Sequence, residues 1–558
     1  MAIGIVETTG GKVRGIELKG RYANISEFRG IPYAAPPVGA LRWKAPQDPA
    51  KWDGVRACDA YAKMAFQKTA YREHQTTRVT NLEHYYMPMP EMSEDCLYLN
   101  VCTGAQAAGE KRPVLMWYHG GGLTMGHSHE IQDDPSELAL RGIVVVNVAQ
   151  RLGPFGYLSL PQLSAEQGGK SGNYGLMDQL KALDWVTENI EAFGGDPGNI
   201  AAGGVSGGTW KAAAVAAAPA SRGRVRRIIA QSVFRCFMKY ATMEEAEAQG
   251  EEFVRNIGLD PARIALDGLD GLRAMPAERI LGDALPRDHV IGDMCFDGDL
   301  VPCRTVLETY EKLKWNVDIM SSTTFGEADV FAEPGGLHYF AHYKTKGGAG
   351  FDAGTKIESA AEFYAHFKAL LGGQYERHNF ESLVKVSDAS AWRTARWLAS
   401  LGLTLPGKAS GERTLMKHRV ANMHLGKLHP GANYYSYFFT HILPIAPEYR
   451  GTPMDPENLL AFHGSDSWFG FNSLRDGVPP HRPWRGEDYS LAAMLCDYWA
   501  NFVATGNPNG KNLPEWPAGA DNYGWLEASA RPAGHRGLEG ALDRLVHEFV
   551  CSQCGLDD

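Results

Sequence analysis

The chain has no long apolar run, no excess of positive charge and no repeated segment. Its apolar stretches are all shorter than the ~20 residues that a membrane-spanning helix needs, so no membrane span is expected. Lys and Arg number 55 against 65 Asp and Glu, which gives a formal net charge of −10 at pH 7. A nucleic-acid partner is disfavoured because such binding relies on basic side chains that neutralise phosphates. We therefore expect a small-molecule partner.

The N-terminal residues also lack the basic and apolar segments of a secretory signal. Residues 1–20 alternate in a way that predicts a β-hairpin, and a cytoplasmic location is expected. The nine cysteines are an odd number, and most stand alone among apolar residues, which favours buried free thiols over a disulfide framework. Cys551 and Cys554 form a CxxC pair with no second pair nearby, so a loose tail is favoured over a zinc site.

Strands and helices alternate along the first half of the chain. Two short apolar runs rich in β-formers, 113–118 and 142–150, predict buried central strands. Apolar residues at three- and four-residue steps predict a helix from 175 to 193, and the alanine-rich run at 211–218 predicts another. This alternation predicts an α/β fold with a mostly parallel sheet flanked by helices. From roughly 240 to 430 the pattern becomes helical and irregular, which predicts a large helical insertion.

A serine between glycines follows a short predicted strand at 200–204 and precedes the alanine-rich helix. Gly204 to Gly208 read GVSGG, the GxSxG pattern of a nucleophile on a tight strand-to-helix turn, where little more than glycine fits beside Ser206. The pattern alone is weak, because a chain with 63 glycines matches it by chance. The alternative is an ordinary turn serine.

A second glycine motif, HGGG at 119–122, directly follows the predicted strand 113–118. Consecutive glycines let bare backbone N–H groups point at one spot, as the oxyanion of a tetrahedral intermediate requires. The alternative is a flexible turn. Its position one strand before the serine motif favours the catalytic interpretation.

With these motifs the chain resembles the type B carboxylesterases of the carboxylesterase/cholinesterase family, which are α/β-hydrolases. The resemblance extends over nearly the whole chain. It rests on residues 28–46, 93–101, 117–122, 173–200 and 497–509. It implies one large hydrolase domain over residues 1–558, a mostly parallel sheet with helical insertions, a deep gorge to the site, and no metal or organic cofactor.

The resemblance also implies a Ser, Glu, His triad in that chain order. Segment 323–331 offers Glu327 and segment 459–471 offers His463 at the corresponding places. The oxyanion donors carried over are the N–H groups of Gly121, Gly122 and Gly207, while Gly120 is assigned to the turn itself. Asp329 leaves the identity of the acid open, and the alternatives are a solvated loop carboxylate for Glu327 and a satisfied core residue for His463.

The chain departs from the family's pattern in three places. Val205 stands where many members have Glu, so a preference for cationic substrates is not expected here. Gly207 stands where many members have Ala. Cys96 lacks the partner that the family has about thirty residues earlier, since 62–67 contain no cysteine and Cys58 lies too early, so Cys96 is expected to be reduced. Loop 68–92 either overhangs the gorge or packs its own aromatic residues as a surface loop; its notable residues are Tyr71, His74, His84, Tyr85, Tyr86, Met87 and Met89.

The expected function is hydrolysis of a small-molecule carboxylic ester through an acyl-enzyme on Ser206. The same triad also serves amide or carbamate hydrolysis and acyl transfer to an alcohol, and the sequence does not separate these. A non-catalytic adhesion domain with this fold is the alternative of another class. It is disfavoured by the intact set of Ser206, Glu327 and His463.

Overall fold

The fold is described here from a computed structural model. It covers residues 2–67, 90–232, 234–282, 291–327, 344–346, 350–352, 357–404, 414–447, 450, 460–476, 482–519, 523–526, 533–536 and 540–556. The seven residues named above in loop 68–92, and Asp329, lie outside the described residues.

A long mixed sheet organises the molecule. The strands are β1 (Ile5–Thr8), β2 (Gly11–Arg14), β3 (Ile16–Glu17), β4 (Ser26–Pro32), β5 (Val55–Ala57), β6 (Met64–Ala65), β7 (Met92–Ser93), β8 (Tyr98–Thr103), β9 (Arg112–Tyr118), β10 (Val144–Val148), β11 (Gly195–Val205), β12 (Val225–Gln231), β13 (Ala241–Thr242), β14 (Cys295–Phe296), β15 (Asp318–Thr324), β16 (Lys344–Lys346), β17 (Gly350–Asp352), β18 (Tyr434–Phe439), β19 (Tyr523–Leu526) and β20 (Ala533–Arg536). Eleven of these described strands form the main sheet, in the order β20-β19-β18-β15-β12-β11-β9-β10-β8-β4-β3.

Strands from β10 to β19 in this order run parallel, and the strands at both edges pair antiparallel. The carboxyl ends of the parallel strands therefore meet at one edge of the sheet, which is where ligands bind in open α/β sheets.

Helices cover both faces of this sheet. They are α1 (Ser136–Leu140), α2 (Gly153–Tyr157), α3 (Pro161–Glu166), α4 (Tyr174–Asn189), α5 (Gly207–Ala217), α6 (Met243–Asn256), α7 (Pro261–Asp267), α8 (Leu269–Arg273), α9 (Ala277–Leu281), α10 (Val306–Glu311), α11 (Ala360–Leu371), α12 (Gly373–Arg377), α13 (Phe380–Leu383), α14 (Asp388–Leu401), α15 (Leu415–Leu428), α16 (Ser467–Gly470), α17 (Gly486–Thr505) and α18 (Ala541–Cys554). Among the described helices, none has the length and apolar character needed to cross a membrane.

The two faces of the sheet bury separate apolar cores because side chains alternate along each strand. In β9, Leu115 and Trp117 pack into one core. Val114, Met116 and Tyr118 pack into the other. Five residues in a row are buried in β9 and also in β10, as expected for central parallel strands covered on both sides.

The early elements of the sequence prediction are confirmed. The predicted strands at 113–118 and 142–150 are β9 and β10, the two predicted helices are α4 and α5, and the N-terminal hairpin is β1 and β2. Cys58 and Cys96 are both free and buried, as predicted for thiols without partners.

Two sequence predictions need correction. The span 240–430 is not helical throughout, because β15 within it is a buried strand of the main sheet between β12 and β18. The tail with Cys551 and Cys554 was expected to be loose but forms α18, in which Leu545, Val546 and Val550 are fully buried. That row of apolar residues at helical spacing, rather than the CxxC pair, determines the structure of the tail.

Candidate active site

Ser206 lies on the turn that joins β11 to α5, at the carboxyl edge of the sheet. Its backbone has φ 57° and ψ −120°, a conformation that residues other than glycine rarely adopt. The flanking glycines are required by close packing: a Cβ on Gly204 would overlap the backbone of Gly208, and a Cβ on Gly208 would overlap the carbonyl oxygen of Tyr118. The half-buried Ser206 side chain is thereby raised toward the open side of the turn.

The HGGG loop lies directly against this turn. A Cβ on Gly207 would overlap the backbone of Gly122, and a Cβ on Gly120 would come within 3.6 Å of the Cβ of Ser206. Gly121 and Gly122 have φ of 85° and 66°. Within the described part of the chain, no backbone carbonyl accepts a bond from the N–H of Gly121, Gly122 or Gly207. These donors therefore remain available beside Ser206.

The role expected for Gly120 is corrected by these angles. The left-handed residues of the turn are Gly121 and Gly122. Gly120 is needed for another reason: a Cβ there would lie 3.2 Å from the carbonyl oxygen of Val205, closer than most real contacts.

Glu327 and His463 are in contact. Glu327 follows the end of β15 and is fully buried, and its Oε1 lies 2.6 Å from Nδ1 of His463. Its Oε2 accepts bonds from the N–H and hydroxyl of Thr324, both at 3.2 Å. One carboxylate oxygen is thus held by the strand end, and the other faces the imidazole.

The segments of Ser206 and His463 are attached to the same strand end. The N–H of Ser206 donates to the carbonyl of Gln231 at 2.9 Å, and the N–H of Gly464 donates to Oγ of Ser232 at 3.2 Å. β12 therefore links the serine turn to the histidine segment.

Asp466 connects the segment that contains His463 to the neighbouring strands. It is fully buried and accepts hydroxyl bonds from Ser322 and Tyr437, each at 2.9 Å, and from Ser232 at 3.3 Å. Burial raises the pKa of this carboxyl group. No local sequence pattern indicates this role, because the three hydroxyl groups come from three different strands or strand ends.

Lys211 is a second residue that sequence reasoning missed. It lies in α5, is fully buried, and its Nζ donates to the carbonyl oxygen of His119 at 3.0 Å. A lysine within an alanine-rich helix would ordinarily be assigned to the solvent face. Only its packing against the HGGG loop distinguishes it.

No set of three or more His, Cys, Asp or Glu side chains is grouped as a metal site within the described residues. That the reaction needs no cofactor stays a prediction.

A model of the carboxylesterase family matches residues 3–541 of this chain. The chain belongs to the carboxylesterase family. Its fold is the α/β-hydrolase fold, and it is a carboxylic ester hydrolase, as the sequence predicted.

Characterised family members resemble it over most of its length. Liver carboxylesterase 1F of Rattus norvegicus is 27% identical over 552 residues, which covers 94% of this chain and 90% of that protein. Para-nitrobenzyl esterase of Bacillus subtilis (strain 168) is 38% identical over 340 residues, which covers 59% of this chain and 64% of that protein. The structure of carboxylesterase EST55 of Geobacillus stearothermophilus at pH 6.2 matches with a TM-score of 0.73 at 26% identity, covering 98% of this chain and all of that chain.

Proposed function

We propose that this carboxylesterase cleaves esters through a covalent acyl-enzyme on Ser206. In this proposal His463 is the general base and acid, and Glu327 orients its ring. The N–H groups of Gly121, Gly122 and Gly207 bind the oxyanion.

In the first step, Oγ of Ser206 attacks the ester carbonyl carbon and its proton passes to Nε2 of His463. The carbonyl π electrons move to oxygen, where the three N–H groups stabilise the charge; one such donor typically contributes about 2.7–4 kcal/mol. Collapse of the tetrahedral intermediate breaks the bond to the alcohol oxygen, which takes the proton from His463. Water then repeats the sequence on the acyl-enzyme, which releases the carboxylic acid and restores Ser206.

The contact between His463 and Glu327 supports this assignment of roles. When Nδ1–H is donated to the carboxylate at 2.6 Å, Nε2 of the neutral ring carries the lone pair that receives the serine proton. Glu327 also stabilises the imidazolium that forms during each step.

The observation that carries the proposal is the placement of Ser206. Ser206, at φ 57° and ψ −120°, lies on the turn into α5 beside the HGGG loop, and within the described residues no backbone carbonyl accepts from the N–H of Gly121, Gly122 or Gly207. A serine hydroxyl beside unused backbone donors suits attack on a carbonyl whose oxygen those donors bind.

The test compares wild type with Ser206→Ala on p-nitrophenyl butyrate. The variant is expected to fold normally and to retain less than about 1% of kcat, since losing a triad serine typically costs about 10⁶-fold. An organophosphonate should add once per chain, at Ser206, by peptide mass spectrometry. Labelling at another serine would contradict the assignment.

Other acyl-transfer reactions are separated with the same protein. Turnover of a matched p-nitroanilide faster than the ester would favour an amidase. Product partition toward an ester when an alcohol is added would favour an acyltransferase.

A further inference from the structure

A buried lysine lies beneath the HGGG loop, outside the proposed triad. Lys211 is fully buried in α5, and burial lowers its pKa to about 7, while the nearby carboxyl group of Glu130 opposes that shift. Taking an ammonium group out of water is costly unless specific contacts compensate it. The contacts of Lys211 therefore indicate its role.

Lys211 holds the residue that begins the loop. Its Nζ donates to the carbonyl oxygen of His119 at 3.0 Å. The peptide bond after that carbonyl is the one that leads into Gly120. The contact therefore restrains the loop at the point where it leaves β9.

Gln150 completes the arrangement from the neighbouring strand. The orientation of its amide that satisfies its neighbours places Oε1 2.9 Å from Nζ of Lys211 and 2.8 Å from Nε2 of His119. In the same orientation its Nε2 donates to the carbonyl of Val148 at 3.2 Å. Helix α5, the end of β9 and the end of β10 are thus tied together at one buried point.

This tie lies close to the oxyanion donors. The loop it anchors contains Gly121 and Gly122, and the backbone of Gly122 packs against Gly207 of the same helix that carries Lys211. A small displacement of reacting or stabilising groups, on the order of 1 Å, can cost about a hundredfold in rate. Restraint of the loop is therefore a property on which catalysis depends.

Fold stability alone does not account for a lysine here. Trp210 precedes it in the helix and alanine and valine follow it, and a buried amine without partners would be costly at such a position. A methionine has nearly the same shape and could fill the space. The donating amine is thus better explained by what it holds.

We propose that Lys211 is a positioning residue for the oxyanion-binding loop, acting through the His119 carbonyl and Gln150 without touching the substrate. The proposal rests on the proposed function, because it assumes that Gly121 and Gly122 donate to the oxyanion. It predicts that the network matters to the transition state more than to the bound ester.

The first test is Lys211→Met, with Lys181→Met as the matched control on α4. Lys181 forms an ion pair with the exposed Asp48 and lies away from the loop. Lys211→Met should lower kcat on p-nitrophenyl butyrate at least tenfold and change KM less than threefold. It should also lower the urea midpoint of unfolding, because the His119 carbonyl and Oε1 of Gln150 lose their buried donor. Lys181→Met should change none of these. Wild-type kcat in folded Lys211→Met, or a loss that lies in KM and not in kcat, would overturn the proposal.

A double-mutant cycle tests the coupling to Gln150. Gln150→Leu should also lower kcat, and the double variant should lose little more than Lys211→Met, because both changes release the same loop. Gln150→Glu keeps an acceptor for Lys211 and His119 but loses the donor to Val148, so it should lose less kcat than Gln150→Leu. Fully additive losses would contradict the shared role. If Lys211→Met does not fold, the two Gln150 variants still decide the question.

A transition-state analogue separates this proposal from the proposed function. A trifluoromethyl ketone forms a hemiketal oxyanion with Ser206, so its Ki should rise across the variants in proportion to the fall in kcat/KM. Phosphonate labelling of Ser206 should remain stoichiometric in Lys211→Met. Unlabelled Ser206 in wild type would refute the proposed function, whereas an unchanged Ki with normal labelling would refute only the role of Lys211.

Discussion

Two residues determine the orientation of the proposed base. His463 is in contact with Glu327, which is fully buried and receives two further bonds from Thr324. A carboxylate held in this way fixes one tautomer of the ring, and an amide in its place would leave the wrong nitrogen protonated.

Glu327→Gln is therefore expected to lower kcat by about a thousandfold or more, as an amide does at this position in other triads. The matched control is Asp329→Asn, the other acid that the sequence left open, which should change kcat less than threefold. Steady-state kinetics on one ester measures both. A large loss in Asp329→Asn with a small one in Glu327→Gln would move the acid to Asp329.

Val205 determines the charge next to the proposed nucleophile. Its side chain is 1% exposed and packs in the apolar core with Trp117 and Phe325, so it supplies no negative charge. Burial disfavours the charged form of the Glu130 carboxyl group, whose pKa it raises. A charged carboxylate at about 4 Å would attract a cation by a few kcal/mol at an effective dielectric near 20.

Acetylthiocholine should consequently be a poorer substrate than 3,3-dimethylbutyl thioacetate, which has the same shape without the charge. The comparison is made by kcat/KM at pH 7 with a thiol-detecting assay. A clear preference for the choline ester would show that another group in the gorge supplies the attraction.

At the first turn of helix α5, Gly208 packs directly against the backbone of β9. Gly208 lies so close to the end of β9 that a Cβ would overlap the carbonyl oxygen of Tyr118. Since that oxygen belongs to a central strand, it has little freedom to move away. The contact explains why the serine turn needs its second glycine.

Gly208→Ala should lower the free energy of unfolding by about 2 kcal/mol or more, since overpacking against backbone is relieved only by shifting the strand. The control is Gly271→Ala in the exposed part of α8, where a Cβ meets nothing within 4 Å. That change should stabilise the protein by about 0.5–1 kcal/mol through helix propensity. Urea denaturation gives both values, and equal effects would contradict the packing argument.

How far the sequence predicted the elements depends on their patterning. β9 and β10 were predicted from short continuous apolar runs, α4 from apolar residues at helical spacing, and α5 from the helix propensity of its alanines. β15 was not, since Ser321, Ser322, Thr323 and Thr324 are polar yet fully buried. The hydroxyl partners of Ser321 and Ser322 come from distant segments. Glu327 and His463 were found by family resemblance, whereas Lys211 and Gln150 depend on contacts that no local pattern contains.

At the scale of the whole molecule, the thiols are distributed through the interior. All nine cysteines are thiols outside any disulfide, and only Cys554 is not buried. Burial raises the pKa of Cys58 to about 11 and of Cys295 and Cys496 to about 12, and it also raises the pKa of Cys96. A raised pKa lowers the fraction of reactive thiolate at any pH below it.

Ellman's reagent at pH 8 should therefore react with no more than one thiol per native chain, and Cys554→Ser should remove that reaction. After denaturation all nine should react. A count of seven in denaturant would reveal a disulfide and contradict the reduced state of Cys96.

The strand order also has a consequence for synthesis of the enzyme. From β11 the sheet is extended in chain order through β12, β15, β18 and β19, so the segment with His463 is added long after Ser206. His463 lies roughly 250 residues later, which at about 5–20 residues per second corresponds to tens of seconds on the ribosome. In the proposed mechanism, the nascent chain carries its nucleophile throughout that interval without the base that activates it. The proposal therefore predicts a growing polypeptide that cannot turn over esters before the segment with His463 has been made.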